Sequence, residues 1–266
     1  MEATSVRPPL KVYWQPGCSS CLKVKEFLLA NGQQFESVNV LADETGFEDL
    51  ARLGLRLVPI VARGDDWANG AVFRDVARVA GFAYGGHVML PPGVMMERLD
   101  RILHAVCRHV AQIPEPELDT MLAGRPRSWR QLAYHVMNIP EVFLDRVEHD
   151  VPYTYEALLS NVPDHIASRD DLVAYGESVR QRLWTWWKRD GVGTDFSQPG
   201  RVYYGDVVLH EVLERTCWHS GQHARQLMLV LESRGIEPDG RLTDADFAGL
   251  PMPAEVWDNE MQFGEG

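Results

Sequence analysis

The sequence predicts a two-domain protein in which an α/β domain is followed by an all-α domain. A chain of 266 residues is close to the size limit for one hydrophobic core, so two domains are the more natural division. Between residues 10 and 61, short β-rich runs alternate with helical patterns, which is typical of an α/β fold. From residue 90 onward the apolar residues recur at three- and four-residue steps, which predicts helices.

The charge balance differs between the two predicted domains. Residues 1–90 hold 9 Lys and Arg against 10 Asp and Glu, a net charge of −1, which leaves 17 against 28 for residues 91–266, a net charge of −11. An acidic domain repels the phosphates of nucleic acids, so we expect no nucleic-acid partner. No apolar run approaches 18 residues, so we expect no membrane partner either.

The cysteine pattern indicates redox chemistry. Residues 1–9, expected to be an N-terminal tail, lack the apolar stretch of a signal peptide, so we expect a cytoplasmic protein. Four cysteines, two of them as Cys18-Ser-Ser-Cys21, do not form a disulfide framework. In a reducing compartment such a pair indicates redox chemistry or half of a metal site. No second CxxC is present to complete a zinc ribbon, which favours redox chemistry.

The first elements of the chain place this cysteine pair at the start of a helix. Residues 10–14 form a β-rich run, Pro16-Gly17 predicts a turn, and a helical pattern follows. Cys18 then falls at the helix N-terminus, where unpaired backbone N–H groups and the helix dipole stabilise a thiolate. Cys21 is three residues further on and can attack a mixed disulfide formed at Cys18.

The order of elements over residues 10–86 resembles that of glutaredoxins, which have the thioredoxin fold. A β-run at residues 35–40, a helix near residues 44–53 and a strand from Arg56 that contains Val58-Pro59 follow the CxxC helix, as in that family. The resemblance implies catalytic roles for Cys18 and Cys21. It also implies a cis peptide bond between Val58 and Pro59 beside the active cysteine, where the backbone pairs with the thiol substrate.

Two positions depart from the glutaredoxin pattern and leave the thiol partner open. Gln15 stands where glutaredoxins often carry a lysine, and Ser19-Ser20 replaces a Pro-Tyr pair. The helix dipole, Arg56 and Arg74 would then have to hold the thiolate or a glutathione carboxylate. Asp75 stands where the family binds the glutathione amino group, and a plain helix N-cap is the alternative role. The expected cofactor is glutathione or a similar low-molecular-weight thiol.

The second domain, residues 87–266, is predicted to contain four long helices after a linker at residues 81–87. Ser128 and Gln131 have the form of a capping box that starts the second helix, and Pro140 predicts a kink in it. His104 and His109 lie off the apolar stripe of the first helix, so both are expected on the surface. The tail from residue 242 to 266 is predicted to be loosely ordered, with Trp257 available to cover the helices.

The third and fourth helices carry the aromatic and histidine clusters of this domain. The third, near residues 169–189, ends in Trp186 and Trp187, for which core packing is favoured over a substrate pocket wall. The fourth, near residues 206–233, places His219 and His223 four residues apart, one above the other on the same face. Such a pair can share a metal ion, and the alternative is a chance spacing in a chain with nine histidines.

A third ligand must come from elsewhere, and His135 is the candidate because it also lies in an apolar helical segment. Residues 128–136 and 218–227 resemble the metal-binding helices of DinB-like (YfiT-like) four-helix bundles. The resemblance implies that His135, His219 and His223 hold a divalent metal in the bundle core. Zinc is the first expectation, while nickel, iron or manganese also suit three histidines.

These features predict a thiol-dependent metalloenzyme. Three imidazoles leave one position of a zinc-like ion open, which is typical of a catalytic site, and members of the resembled family use low-molecular-weight thiols. We predict that the metal activates a glutathione-like thiol for attack on a small electrophile, in an S-transferase, isomerase or dehalogenase reaction. Cys18 and Cys21 would resolve the resulting disulfide or adduct. Arg225 could clamp a substrate carboxylate or remain a surface charge, and the same alternatives apply to Glu211 at the rim.

Two other interpretations stay open. One is a redox-switch or stress binding protein with thiol-disulfide reductase activity and a structural metal site. The other is a reductase whose metal site is vestigial. The predicted partners are a small-molecule electrophile and a thiol, and the sequence leaves the oligomeric state open, a homodimer being compatible with it.

Overall fold

The computed structural model describes residues 7–258 and residue 260, and the chain divides into two compact units between His87 and Val88. We call them the N-terminal unit and the helical unit. The outer parts of the two predicted tails, residues 1–6, 259 and 261–266, lie outside the described residues. Within the described part of the chain, no helix is both long and apolar enough to cross a membrane.

The N-terminal unit is a four-stranded mixed sheet with three helices. Strand β1 pairs in parallel with β2 and antiparallel with β3, and β3 pairs antiparallel with β4, giving the order β2-β1-β3-β4. Apolar residues of the strands and of two helices form one core, which includes Val12, Val24 and Val76. The elements in chain order are β1 Lys11–Trp14, α1 Ser19–Ala30, β2 Glu36–Asn39, α2 Glu44–Arg52, β3 Ile60–Arg63, β4 Asp66–Asn69 and α3 Phe73–Ala80.

The sheet differs from the prediction at its third and fourth strands. The third strand begins at Ile60 rather than Arg56, because the residues before it form the loop that leads into the cis Val58–Pro59 bond. The sequence analysis missed β4, whose residues include two exposed positions and carry little β propensity. A tight connection through Gly64, with φ of 64°, lets β4 pair directly with β3. Backbone pairing to a buried strand therefore outweighs the weak local propensity.

Four long helices form the body of the helical unit. Helices α4 and α5 each pack against both α7 and α8, and Leu99, Leu183 and Leu213 are among the side chains buried between them. The predicted capping box is confirmed, because the Gln131 N–H donates to the Ser128 hydroxyl and the Ser128 N–H donates to the Gln131 side chain. The helices are α4 Pro92–Gln112, α5 Trp129–His149, α6 Tyr155–Leu158, α7 Arg169–Arg189, α8 Leu209–Glu232 and α9 Asp244–Phe247.

His109 is buried, so the prediction of a surface position is wrong for this residue, whereas His104 is exposed as expected. The segment after α8 covers this part of α4. Gln112 donates to the Glu237 carbonyl at 2.8 Å, and the Arg108 guanidinium donates to the Asp239 carbonyl at 3.3 Å. Apolar periodicity does not indicate which polar helix face a later segment will cover.

The described part of the C-terminal tail is packed, which corrects the prediction of loose order. Phe247, Leu250 and Trp257 are buried, and Trp257 therefore helps to cover the helices as the sequence suggested. The Gly221 position on α8 shows how close this packing is, since a Cβ there would lie 3.2 Å from the Phe247 ring. The described part of the tail therefore packs against one side of α8.

Candidate functional site

The cysteine pair stands at the first turn of α1. Cys18 is the N-cap residue, and its sulfur accepts a hydrogen bond from the Cys21 N–H at 3.2 Å. The two residues are joined as a disulfide with their Cα atoms 5.2 Å apart. Cys18 is half-buried and Cys21 is fully buried. Cys18 is thus the sulfur that a substrate can reach, and Cys21 is placed to attack it from inside.

The helix start favours a thiolate at Cys18 in the reduced state. The first N–H groups of a helix lack intrahelical partners, and the positive end of the dipole attracts negative charge. Here the Cys21 N–H already points at the Cys18 sulfur. A thiolate is the nucleophilic form of cysteine, so this geometry suits attack on a disulfide.

The predicted cis peptide bond between Val58 and Pro59 is confirmed. The Pro59 carbonyl accepts from the Gly70 N–H at 2.9 Å, and a Cβ at Gly70 would lie 2.8 Å from the Pro59 ring. The same Cβ would lie 3.1 Å from Val24 of α1. Gly70 therefore allows the Pro59 loop, β4 and α1 to approach closely, which sets the position of the loop against the helix that begins at Cys18.

The residues proposed to bind the thiol lie on the surface of the N-terminal unit. Arg56 and Arg74 are exposed, and Asp75 is half-buried. Asp75 is not the N-cap of α3, because Val72 occupies that position, so the alternative role for Asp75 is wrong. A contact between Asp75 or either arginine and glutathione stays a prediction.

Three buried histidines meet in the helical unit. His135 comes from α5, and His219 and His223 come from α8. One ring nitrogen of each lies within 4.8 Å of the others, and the exposed fractions are 5%, 5% and 1%. The Nε2 atoms of His219 and His223 are 3.2 Å apart. The packing of α5 on α8 therefore brings His135 to the pair on α8, although 84 residues separate it from His219.

Hydrogen bonds define the protonated nitrogens of the α8 pair. Gln226 donates its amide to the Val256 carbonyl at 3.3 Å, so its oxygen faces the His223 Nδ1 at 2.7 Å and accepts from it. His223 thus keeps a lone pair on Nε2. The Arg215 guanidinium can only donate, so His219 accepts at Nδ1 at 3.2 Å, and its Nε2 carries the proton that points to His223.

The three histidines fit a divalent metal. Burial, followed by the charges of nearby arginines, lowers the pKa of all three well below the usual value, so they are neutral, which is the form that binds metal. The Gln226 contact is the outer hydrogen bond that metal-binding histidines commonly make. A metal bound at His219 Nε2 would take the place of the proton there. The proton of the neutral ring would then be on Nδ1, which could no longer accept a hydrogen bond from Arg215, so metal binding requires this Arg215 contact to change.

Two buried arginines act on the histidines, and the sequence analysis missed them: Arg215 contacts His219, and Arg127 influences the pKa of His135 and His223. Arg127 is buried, and its charge is the largest influence after burial on the pKa of His135 and His223. Arg215 lies over the Tyr204 ring, 4.7 Å from its centroid. Arg215 is four residues before His219 and Gln226 is three after His223, so helical spacing could have revealed both. Arg127 precedes the helix, and nothing local marks it as buried.

Arg225 and Glu211 do not line the histidine cluster. Arg225 donates to the Pro253 carbonyl at 2.8 Å and the Ala254 carbonyl at 2.9 Å, so it fastens the tail rather than presenting a free clamp. Glu211 accepts from the Val208 N–H at 2.9 Å and caps α8. The aromatic cluster of α7 is core packing, as expected, because Trp186 is buried against the Phe143 ring at 5.4 Å.

Comparison with known protein families gives a match in the N-terminal unit. The family model described as Glutaredoxin matches residues 10–67, a range that includes the cysteine pair and the Val58–Pro59 bond. No curated protein matches the chain. The chain therefore has a glutaredoxin-like thiol-disulfide redox domain with a Cys18–Cys21 pair, followed by a mostly helical C-terminal region.

Proposed function

We propose that this chain is a thiol-dependent metalloenzyme in which the two units perform successive thiol reactions. The observation that carries the proposal is the meeting of three buried, neutral histidines in a chain that also has a CxxC redox domain. The arrangement of α4, α5, α7 and α8 supports a DinB-like bundle as the frame for this centre. A reducing, cytoplasmic compartment is part of the proposal, since the redox pair must be returned to the dithiol form there.

The N-terminal unit transfers two electrons from its dithiol to a disulfide. The Cys18 thiolate attacks one sulfur of the substrate disulfide, which releases the first thiol and leaves a mixed disulfide on Cys18. The Cys21 thiolate then attacks the Cys18 sulfur, which releases the second thiol and forms the Cys18–Cys21 bond. Two molecules of a low-molecular-weight thiol such as glutathione return the pair to the reduced form and leave as their disulfide.

In the helical unit, His135, His219 and His223 would hold the divalent ion, with zinc as the first candidate and nickel, iron or manganese as others. When bound, such an ion lowers the pKa of a thiol at its open position and so supplies a thiolate at neutral pH. Gln226 orients the His223 ring through Nδ1, and the buried packing of α5 and α8 keeps bulk water away. These residues select a small reactant because the cluster is buried.

The overall reaction joins the thiol sulfur to an electrophilic carbon. In the transferase or dehalogenase form, a thiol RSH and an electrophile with leaving group X give the thioether and HX. The isomerase form adds the thiol and later releases it unchanged. In a reductive variant, the Cys18 thiolate would attack the sulfur of an activated thioether adduct, so that the carbon leaves and takes up a proton while a mixed disulfide with the thiol forms on Cys18. The Cys21 thiolate would then release that thiol and form the Cys18–Cys21 bond.

Metal content and thiol-dependent turnover of His219→Ala test this proposal. The wild-type chain should bind about one zinc per molecule, and His219→Ala should lose stoichiometric metal and turnover of a test electrophile such as 1-chloro-2,4-dinitrobenzene with glutathione. His104→Ala is the matched control, since His104 is exposed on α4. Turnover that is unchanged in His219→Ala, or wild-type protein without metal after zinc loading, would contradict the proposal.

A second candidate is a redox-switch binding protein in which a metal only supports the fold. The burial of the three histidines and the packed tail over α8 favour it, because structural metal sites are closed. Cys18→Ser distinguishes the two candidates. Under the switch interpretation this variant loses a protein interaction while small-molecule turnover is intact. Under the enzyme interpretation it loses sustained turnover, because the adduct or disulfide is no longer resolved by the cysteine pair.

A further inference from the structure

We propose that Lys25 is a positioning residue for the redox reaction: its buried positive charge favours the thiolate of Cys21 and so speeds the attack of Cys21 on a mixed disulfide at Cys18. The inference rests on the proposed function, because it deepens the thiol-disulfide exchange assigned to the N-terminal unit. The start of α1 supports a thiolate at the first cysteine, and Lys25 supplies a separate support for the second.

Lys25 is buried on the face of α1 that also carries Cys21. The exposed fractions are 5% for Lys25 and 0% for Cys21. The two residues are four positions apart in the helix, so their Cβ atoms lie about 5–6 Å apart on one face. Val24 and Leu28 belong to the same buried side of α1 and pack into the core. Lysine is among the residues least often buried, so its place on this face needs a reason.

The ammonium group lies at the end of α1 that begins with the cysteines. Lys25 Nζ is 3.9 Å from the centroid of the Trp14 ring. Trp14 is the last residue of β1, and the short loop 15–17 joins it to Cys18 at the start of α1. Side chains on a helix also lean toward its N-terminus, so the Lys25 stem runs back toward the turn of Cys21. Both features place the charge beside the second cysteine.

The contact with Trp14 favours the charged form of Lys25. The face of an aromatic ring attracts a cation within about 6 Å of its centroid, and the attraction is stronger when water is excluded. Trp14 is only 1% exposed, so this contact is a desolvated one. Lys25 is therefore a cation in a place where salt and water screen it little.

Other charged side chains of α1 and β1 lie elsewhere. Lys23 Nζ lies over the aromatic ring at the start of α3, and Lys11 donates to a carboxylate of α2 at 3.1 Å. Glu26 is five positions after Cys21, which is about 140° further round the helix. Among the described residues of these two elements, Lys25 is the cation that shares a buried face with Cys21.

The charge acts in the second step of disulfide reduction. Cys21 gives its thiol proton to water, and its thiolate attacks the Cys18 sulfur of the mixed disulfide. The Cys18–Cys21 bond forms, the bond from Cys18 to the substrate sulfur breaks, and the released thiolate takes up a proton from water. Burial by itself disfavours a thiolate, and a nearby cation favours it. Lys25 offsets the cost that burial imposes on Cys21 and takes part in no bond.

Ultraviolet titration of the thiolate in a Cys18→Ser background measures the pKa of the Cys21 thiol. The two remaining cysteines do not interfere near neutral pH, because burial raises the pKa of the Cys107 and Cys217 thiols. Adding Lys25→Met, which keeps an unbranched side chain without the charge, should raise the pKa of Cys21 by about one unit. Lys25→Arg keeps the charge and should restore most of the shift.

The same loss of charge should slow the second step when both cysteines are present. Reduced protein is mixed with excess glutathione disulfide and quenched with acid, and mass spectrometry follows the mixed disulfide on Cys18. At neutral pH its decay should be about threefold slower in Lys25→Met, because a roughly tenfold smaller thiolate fraction is partly offset by a more nucleophilic thiolate. At a pH above both pKa values Lys25→Met should no longer be slower, whereas a packing defect would slow it at every pH.

Lys23→Met is the matched control. Lys23 also lies over an aromatic ring, 5.1 Å from the Phe73 centroid, but it is two positions from Cys21 and does not share its face. This variant should leave the pKa of Cys21 unchanged. Lys25→Gln provides a second neutral side chain if Lys25→Met does not fold, and the unfolding temperature of each variant is measured alongside.

An unchanged pKa of Cys21 in the neutral Lys25 variants, or an equal rise in Lys23→Met, would overturn the inference. Reduction of 2-hydroxyethyl disulfide by the wild type separates this failure from failure of the proposed function. A wild type that reduces the disulfide while the Lys25 variants keep the pKa of Cys21 would leave the redox function standing without Lys25. A wild type that reduces no disulfide would contradict the redox function itself.

Discussion

The two candidate sites differ in how far apart their residues lie along the chain. The redox pair occupies the first turn of α1, so its chemistry depends on one short segment. The histidine cluster needs α5 and α8 together, because His135 comes from one helix and the His219–His223 pair from the other. The first site is half-exposed at Cys18, whereas the second is buried at every histidine.

This difference sets what each site can react with. A half-exposed cysteine at a helix start can meet a disulfide on a large or small partner, because access is needed on only one side. A buried cluster admits small molecules alone. It also changes the protonation of its own residues, since burial lowers the pKa of all three histidines. Exposure of Cys18 suits thiol-disulfide exchange, and burial of the histidines would restrict the proposed metal site to small ligands.

Among the predicted changes, loss of Cys18, the cysteine that a substrate can reach, should have the largest effect on activity. Cys18→Ser should lower the reduction of 2-hydroxyethyl disulfide by glutathione by about 10³-fold or more, because the nucleophile is removed. Zinc affinity should not change, since the histidines lie in the other unit. Cys107→Ala is the matched control, because burial raises the pKa of the Cys107 thiol to about 12 and keeps it unreactive. Activity retained in Cys18→Ser would remove the role assigned to the N-terminal site.

Lowering the pH should lower the free energy of unfolding of the helical unit, and His109 should be one cause. Burial, followed by the charge of Arg108, lowers the pKa of His109 from 6.5 to about 4. The unfolded chain therefore binds more protons between these values, so the free energy of unfolding falls as the pH falls through this range. His109 should account for about 3 kcal/mol of that loss, and above pH 6.5 its contribution should be constant.

The effect is measured as the difference between wild type and His109→Leu. Denaturant unfolding from pH 7 to 4 with a chelator present keeps the three clustered histidines equal in both proteins. His104→Leu makes the same change at an exposed position of α4 and should retain the wild-type pH dependence. An identical slope in His109→Leu and wild type would show that His109 is not a buried neutral group.

The smallest predicted effect is on zinc affinity, and it comes from the hydrogen bond between the Gln226 side chain and the His223 ring. Gln226→Leu removes the acceptor for His223 Nδ1 and should lower zinc affinity by about 10- to 100-fold, measured by competition with a chelating dye. Gln222→Leu is the matched control, because Gln222 holds the same tail at the Glu255 and Val256 carbonyls without touching a histidine. An equal loss in both variants would assign the effect to the tail rather than to ring orientation.

Local patterns predicted most of the helices and the redox pair. The start of α5 at the Ser128 capping box and the extent of α7 follow from side chains within one or two turns, so the sequence contains all the information needed. The glutaredoxin-like order of elements is also found in the structure. Strand β4 is the exception, because it was not predicted from its own residues and depends on pairing with β3. His219 and His223 were paired by helical spacing alone.

What the sequence by itself determined is therefore short-range: the helical periods, the cysteine pair at a helix start and two histidines on one face. Tertiary structure alone decided that His109 is covered, that Arg225 holds the tail, and that Arg127 is buried. The physical reason is that burial and electrostatic environment depend on segments distant in the chain. Hydrophobic periodicity reports which face of an element turns inward, and it carries no information on which loop will cover the other face.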